Sequence, residues 1–117
     1  MKRIKSFIPA FKGLKILFNE EHNSRIHLIA TICVLVASIM LKISAIEWIV
    51  IIYAIGLVFV VEIINSAIEN IADFVSPEKN ETIKKIKDLA AAGVLISSIT
   101  AFIIGLIIFL PKALKLC

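Results

Sequence analysis

Apolar residues in this chain fall into long runs separated by short polar breaks. Leu89–Leu110 carries no charge and is long enough to span a bilayer, whose hydrocarbon core takes roughly 20 helical residues. Leu28–Leu41 and Trp48–Val61 are shorter. Each reaches spanning length when extended, the first across Lys42 and the second past Glu62. The pattern predicts three transmembrane helices, at about 28–47, 48–70 and 87–110. Ahead of them, Ile4, Phe7, Ile8, Phe11, Leu14 and Phe18 recur at spacings of three and four, while Lys2, Lys5, Lys12 and Lys15 fall largely elsewhere. That is the pattern of a basic amphipathic helix lying on the membrane surface. Pro9 kinks this helix or marks its start. The polar run Asn19–His27 reads as a hinge, so residues 1–26 form surface helix plus hinge. Lys42–Glu47 reads as a short external turn followed by an interfacial anchor, Trp48. Ser76-Pro77 ends the second span.

The expected fold is therefore an all-α membrane protein, a single domain over residues 1–117 with a surface helix and three transmembrane helices. Composition agrees: 60% of the 117 residues are apolar, the mean hydropathy is +1.00, and no length remains for a soluble domain. The small residues Ala90, Ala91, Ala92, Gly93, Ser97 and Ser98 thin the first half of the third span, which suits close helix packing. The N-terminus lacks the cleavage pattern of a signal peptide. Cys33 and Cys117 are far apart and show neither metal spacing nor a disulfide framework; both read as small apolar residues in lipid.

Charge sets the topology. Of the 13 Lys and Arg, ten lie before the first span or between the second and third; only Lys42, Lys112 and Lys115 lie on the other side. The positive-inside rule puts the N-terminus and the loop around 74–87 in the cytoplasm. The net charge of +4 reflects this topology and anionic lipid rather than a nucleic-acid partner. The expected location is the cytoplasmic membrane.

Against this background one stretch stands out. Glu62, Asn65, Glu69 and Asp73 follow directly on an apolar run, and at 100° per helical residue they share roughly 80° of arc. Ionisable groups at that depth are costly and usually functional. Stacked carboxylates repel unless a cation or proton sits among them. The stripe reads as a metal or proton site at the bilayer edge. With glycine only at 13, 56, 93 and 105, no Gly-rich loop cradles a phosphate. A phosphate-using enzyme here needs Mg2+ on carboxylates plus a lysine. Glu21, Glu69 and Asp73 offer the first and Lys87 the second, while Glu62, deeper in the lipid, is placed to take a proton from a buried hydroxyl. His22 and His27 read as interfacial hydrogen-bonding residues, without zinc spacing. An ion path or a helix-assembly device remains open on the residues alone. Such a device needs polar groups anywhere along a facing stripe, whereas here the acids gather at one level. A lipid phosphatase lacks its cluster of Arg and His.

At these residues the sequence resembles the prokaryotic diacylglycerol kinase family, which includes undecaprenol kinases. The motifs that carry the likeness are Glu62-x-x-Asn65-Ser66-Ala67-Ile68-Glu69-x-x-x-Asp73 and Lys87-Asp88-Leu-Ala-Ala-Ala, with Lys12-Gly13-Leu14 and Asn19-Glu20-Glu21…Arg25 upstream. The resemblance covers nearly the whole chain. It implies a homotrimer with sites shared between subunits, moving the γ-phosphoryl group of MgATP to a membrane lipid alcohol. By motif position it implies Glu62 as general base, Glu21 and Glu69 as Mg2+ ligands, and Asn65 and Ser66 as substrate-positioning residues. Lys87, Asp88, Asp73 and Lys12 fall on the nucleotide side. Diacylglycerol-specific members carry a carboxylate where this chain has His27, near where the lipid enters. The Asn23–Leu28 run, with Arg25 and His27, looks more like the polyprenol branch, so undecaprenol is favoured over diacylglycerol.

Overall fold

The computed structural model describes residues 2–78 and 80–116, with side chains from Lys5 onward. The expectations for Cys117, Lys79 and the side chains of Lys2, Arg3 and Ile4 lie outside the described residues. Four helices account for nearly all of it: α1 (Lys2–Glu20), α2 (His22–Met40), α3 (Ala45–Val75) and α4 (Glu81–Leu116). The last three are long and apolar enough to cross a membrane.

Helix α1 runs unbroken through Pro9 and begins at Lys2, so Pro9 does not mark its start. Phe7, Ile8 and Phe11 are exposed along it. It meets the rest of the chain near its end, where Leu17 is buried and Phe18 packs edge-on against Phe59 with ring centroids 6.0 Å apart. The expected nine-residue hinge shrinks to one residue. Glu21 alone is extended, and its N–H still bonds Leu17 O at 2.9 Å. Arg25 explains the economy: its guanidinium donates to Phe18 O at 2.8 Å and Asn19 O at 2.9 Å, satisfying carbonyls that α1 leaves open.

The turn between the first two spans is Leu41–Ser44, not Lys42–Glu47. Ser44 caps α3: its hydroxyl accepts from Glu47 N while Glu47 accepts from Ser44 N, a reciprocal capping box. Glu47 is thus a residue of the first turn of α3, and a first span continuing to 47 is corrected to one ending at Met40. Lys42 takes φ 51°, the left-handed turn that reverses the chain. Glu47 also pairs with Lys112 of α4 at 3.2 Å. Helix α3 stops at Ser76 before Pro77, as expected, five residues beyond the predicted 70. Asn80 caps α4, its side-chain oxygen accepting from Ile83 N at 2.8 Å. Helix α4 starts before and ends after the predicted 87–110, passing through Pro111.

The principal packing is α3 against α4. Gly93 of α4 faces Val61 of α3, and Ser97 is buried. An apolar cluster of Ile43, Ile51 and Ile108, with Trp48 and Phe109 against it, ties the turn end of the bundle. Most large apolar side chains, among them Ile29, Ile52, Phe102 and Ile107, face outward. In water this surface would drive association; in lipid it is matched to the solvent.

Candidate functional site

Glu62 sits in mid-helix on α3, only 4% exposed, and it is held from α2. Ser24 Oγ donates to its Oε2 at 2.6 Å, and His27 Nδ1 pairs with its Oε1. Ser24 and His27 are three residues apart in a helix and therefore share a face. Both carboxylate oxygens are engaged, which is what a buried charge requires. Ser24 is itself 1% exposed. It was not singled out from the sequence; its spacing from His27 was the available signal.

Exposure rises along the predicted stripe, from 5% for the Glu62 side chain to 65% for that of Asp73. Between them, Asn65 Nδ2 approaches Glu69 Oε1 at 3.5 Å, and Asn65 Oδ1 is buried without a partner among the described residues. The Glu69 carboxylate feels the charges of Glu21, Lys87 and Asp73. Lys87 Nζ bridges from α4 to Asp73 Oδ1 at 2.5 Å. Lys84 pairs with Asp88 one turn apart at 3.2 Å. A cleft of ≈ 470 Å³ opens at this end, walled in part by Asp73, Asn80, Lys84, Lys87 and Asp88. A second cavity of ≈ 290 Å³ runs from His27 toward the middle of the spans, with Ala30, Val58, Phe59, Ser98 and Phe102 in its walls.

The structure thus brings Glu21, Asn65, Glu69, Asp73 and Lys87 into one electrostatic group, and Glu62 with His27 into another, deeper one. Ser66 is buried in the same helix, its carbonyl accepting from Asn70 at 2.8 Å. Arg25 stands apart, its side chain reaching from α2 to the end of α1, and Lys12 lies exposed on α1. Among the described residues no three His, Cys, Asp or Glu converge as a ready-made metal cage. A hard cation bound through one or two carboxylates needs none, because nucleotide phosphates and water complete its shell. Glu21 and Glu69 repel each other, and the unpartnered Asn65 oxygen lies beside Glu69; this all-oxygen set fits Mg2+.

Comparison with known proteins places this arrangement. The sequence model of the prokaryotic diacylglycerol kinases matches residues 9–109. An undecaprenol kinase of Bacillus subtilis is 37% identical over 92% of this chain and 88% of its own length. A diacylglycerol kinase of Synechocystis is 35% identical over 95% of this chain and 64% of its own length. That of Escherichia coli K12 is 35% identical over 86% of this chain and 82% of its own length. The buried acid and the exposed acid–lysine group both lie within the matched span, and the chain belongs to the prokaryotic diacylglycerol kinase family, a family of lipid kinases.

Proposed function

We propose that this protein transfers the γ-phosphoryl group of MgATP to the hydroxyl of a membrane lipid, undecaprenol in preference to diacylglycerol. The observation that carries the reading is the stepwise stripe on α3. A buried acid lies three helical turns below the solvent-reaching Asp73–Lys87 pair, about 16 Å along the axis at 1.5 Å per residue. A lipid hydroxyl arriving sideways from the bilayer meets the first; a nucleotide arriving from water meets the second. Phosphoryl transfer asks for little more than such positioning plus charge stabilisation.

Glu62 supplies the basic group that receives the hydroxyl proton as the oxygen attacks the γ-phosphorus. Glu21 and Glu69, with Asn65 between substrate and phosphate, would hold Mg2+, which supplies charge neutralisation on the phosphates. Lys87 offsets charge on the transferring group, and Asp73 fixes where its ammonium sits. The cleft beside Asp88 takes the nucleotide, and Ser66 joins Asn65 in positioning the substrate. Lys12 completes the nucleotide side from α1 of a neighbouring subunit, in a homotrimer whose sites are shared. Arg25 fixes the turn that delivers His27 to the lipid side. The whole chain acts as one membrane domain, with its N-terminus and the turn at Ser76–Asn80 in the bacterial cytoplasm, as the basic residues favour.

Undecaprenol is supported by the Bacillus relative and by His27; the diacylglycerol kinases of Synechocystis and Escherichia coli support the second substrate almost as strongly. Transfer of label from γ-labelled ATP in mixed micelles, with each lipid supplied separately, decides. Preferential labelling of undecaprenol is expected. Preferential labelling of diacylglycerol reverses the preference, and label in neither lipid rejects both substrates.

A further inference from the structure

Resting on the kinase reading above, we infer that the cavity between α2, α3 and α4 is the specificity pocket of the lipid site. It seats the first isoprene units of a single polyprenyl chain, and Ala30 and Ala101 set its width.

The cavity begins where the reaction does. His27 lines one end of it and pairs with Glu62, so a hydroxyl brought to Glu62 trails its chain into this space. Three helix faces build the walls at spacings of three and four. Ala30 and Val34 follow His27 on α2, Val58 and Phe59 stand on α3, and Ala101 and Phe102 on α4. The gap exists because α2 packs on α3 while making no close approach to α4 among the described residues. Such a gap forfeits dispersion contacts unless something fills it, and the filler that matches these walls is hydrocarbon. His27 and Val34 are seven residues apart, which at 1.5 Å per residue makes the cavity about 10 Å deep along α2. An extended carbon chain advances roughly 1.2 Å per bond, so about eight backbone carbons, the length of two isoprene units, occupy that depth.

Size and chemistry select one chain rather than two. At ≈ 290 Å³ the cavity lies at the small end of the range for bound small molecules, about 300–1,000 Å³. A diacylglycerol places ester carbonyls within a few bonds of its hydroxyl and then divides into two chains. Those carbonyls would lie against Ala30, Val58 and Phe59, and a buried carbonyl without a donor is costly. Of the hydroxyls in the walls, that of Thr31 already donates to His27 O at 2.7 Å. Ser98 Oγ, buried and without a partner among the described residues, is a single donor for two esters. A prenyl chain brings no polar atom beyond its hydroxyl. Its methyl branches need width, which Ala30 and Ala101 supply from two of the three walls.

The test is lipid kinetics in mixed micelles at saturating MgATP, with undecaprenol and diacylglycerol supplied separately, for wild type, Ala101→Leu and Ala30→Leu. Neither alanine belongs to the acid–lysine group or to the nucleotide cleft. Each leucine is expected to raise KM for undecaprenol at least about tenfold, to leave kcat close to wild type, and to keep both the thermal stabilisation by MgATP and the oligomeric size. KM for diacylglycerol is expected to move less, so the preference for undecaprenol narrows. A second measurement needs no turnover. A prenol carrying a diazirine in its second isoprene unit, photolysed without nucleotide, is expected to crosslink to the cavity wall in wild type and not in Ala101→Leu. Overturning results are leucine variants with the wild-type KM for undecaprenol, a KM raised equally for both lipids, or crosslinks confined to outward-facing residues such as Ile29 and Ile107. A leucine variant whose oligomer dissociates also overturns the pocket, since the cavity is then a contact between subunits. If neither variant folds, the crosslink in wild type decides. A wild type that phosphorylates neither lipid rejects the kinase reading and the pocket with it; a wild type that prefers undecaprenol while both variants match it rejects the pocket alone.

Discussion

Removing the Ser24 hydroxyl tests the architecture of the buried acid directly. Ser24→Ala deletes one oxygen at a site 1% exposed, so little packing area is lost and the effect isolates the bond to Glu62 Oε2 at 2.6 Å. A hydrogen bond to a charged group contributes about 1.5–3 kcal/mol, and leaving a buried charge short of a donor costs that amount. Neutral interhelical hydrogen bonds within membranes average about 0.6 kcal/mol. In a Glu62→Gln background, where the acceptor is neutral, the same deletion should therefore cost only about 0.6 kcal/mol. The double-mutant cycle should give a coupling of about 1–2 kcal/mol. The assay is reversible unfolding in mixed detergent micelles, followed by the single Trp48, which packs against the apolar cluster at the opposite end of the bundle and so reports global loss of structure. A cost below about 0.5 kcal/mol in the wild-type background, or an equal cost in both backgrounds, would refute the view that Ser24 holds an ionised Glu62.

Glu62→Gln keeps the size of the side chain and can still accept from Ser24, so the fold and MgATP stabilisation should survive while turnover falls by at least about 100-fold; near-normal turnover removes Glu62 from the mechanism. Lys87→Met should leave stability close to that of wild type, because its pair with Asp73 is largely exposed. The same change should abolish the rise in melting temperature on adding MgATP, and an unchanged rise would take Lys87 off the phosphates. Gly93→Ala should be tolerated, within about 1 kcal/mol of wild type in the same unfolding assay. The added methyl would meet Val61 Cγ1 at 3.6 Å, an ordinary contact, and a larger loss would show that α3 and α4 pack more closely than that.

Three spans and the face of α3 that carries the acids were legible because hydrophobic run length and helical periodicity are properties of the local sequence. Helix ends were not, where side chains reaching across the break decided them. Arg25 capping α1 reduces a nine-residue polar run to Glu21 alone. Ser44-Ala45-Ile46-Glu47 at the head of α3 is different: Ser44 and Glu47 spell a capping box that would have placed the turn correctly had composition not been weighted above it. Span limits fixed by charge also undershoot α4, since a helix does not stop where hydrocarbon does; Lys84, Lys85, Lys112 and Lys115 are all helical. Glu62, Asn65, Glu69 and Asp73 were singled out from the periodicity of one helix alone. Ser24 escaped because its importance lies in a partner 38 residues away: its spacing from His27 puts the two on one face of α2, but does not say that this face meets Glu62 of α3.

The depth of Glu62 also bears on transport cost. Drawing a long-chain lipid out of a bilayer costs about 0.8 kcal/mol for each methylene exposed to water, so a chain of some sixteen carbons would add roughly 13 kcal/mol to any reaction that began by extraction. On the proposed reading, a proton acceptor stationed that deep, on a helix that continues upward to where the nucleotide's phosphates would bind, removes that step. The tail stays dissolved in its own solvent throughout the reaction, diffusion is confined to two dimensions, and the only traveller from water is the nucleotide.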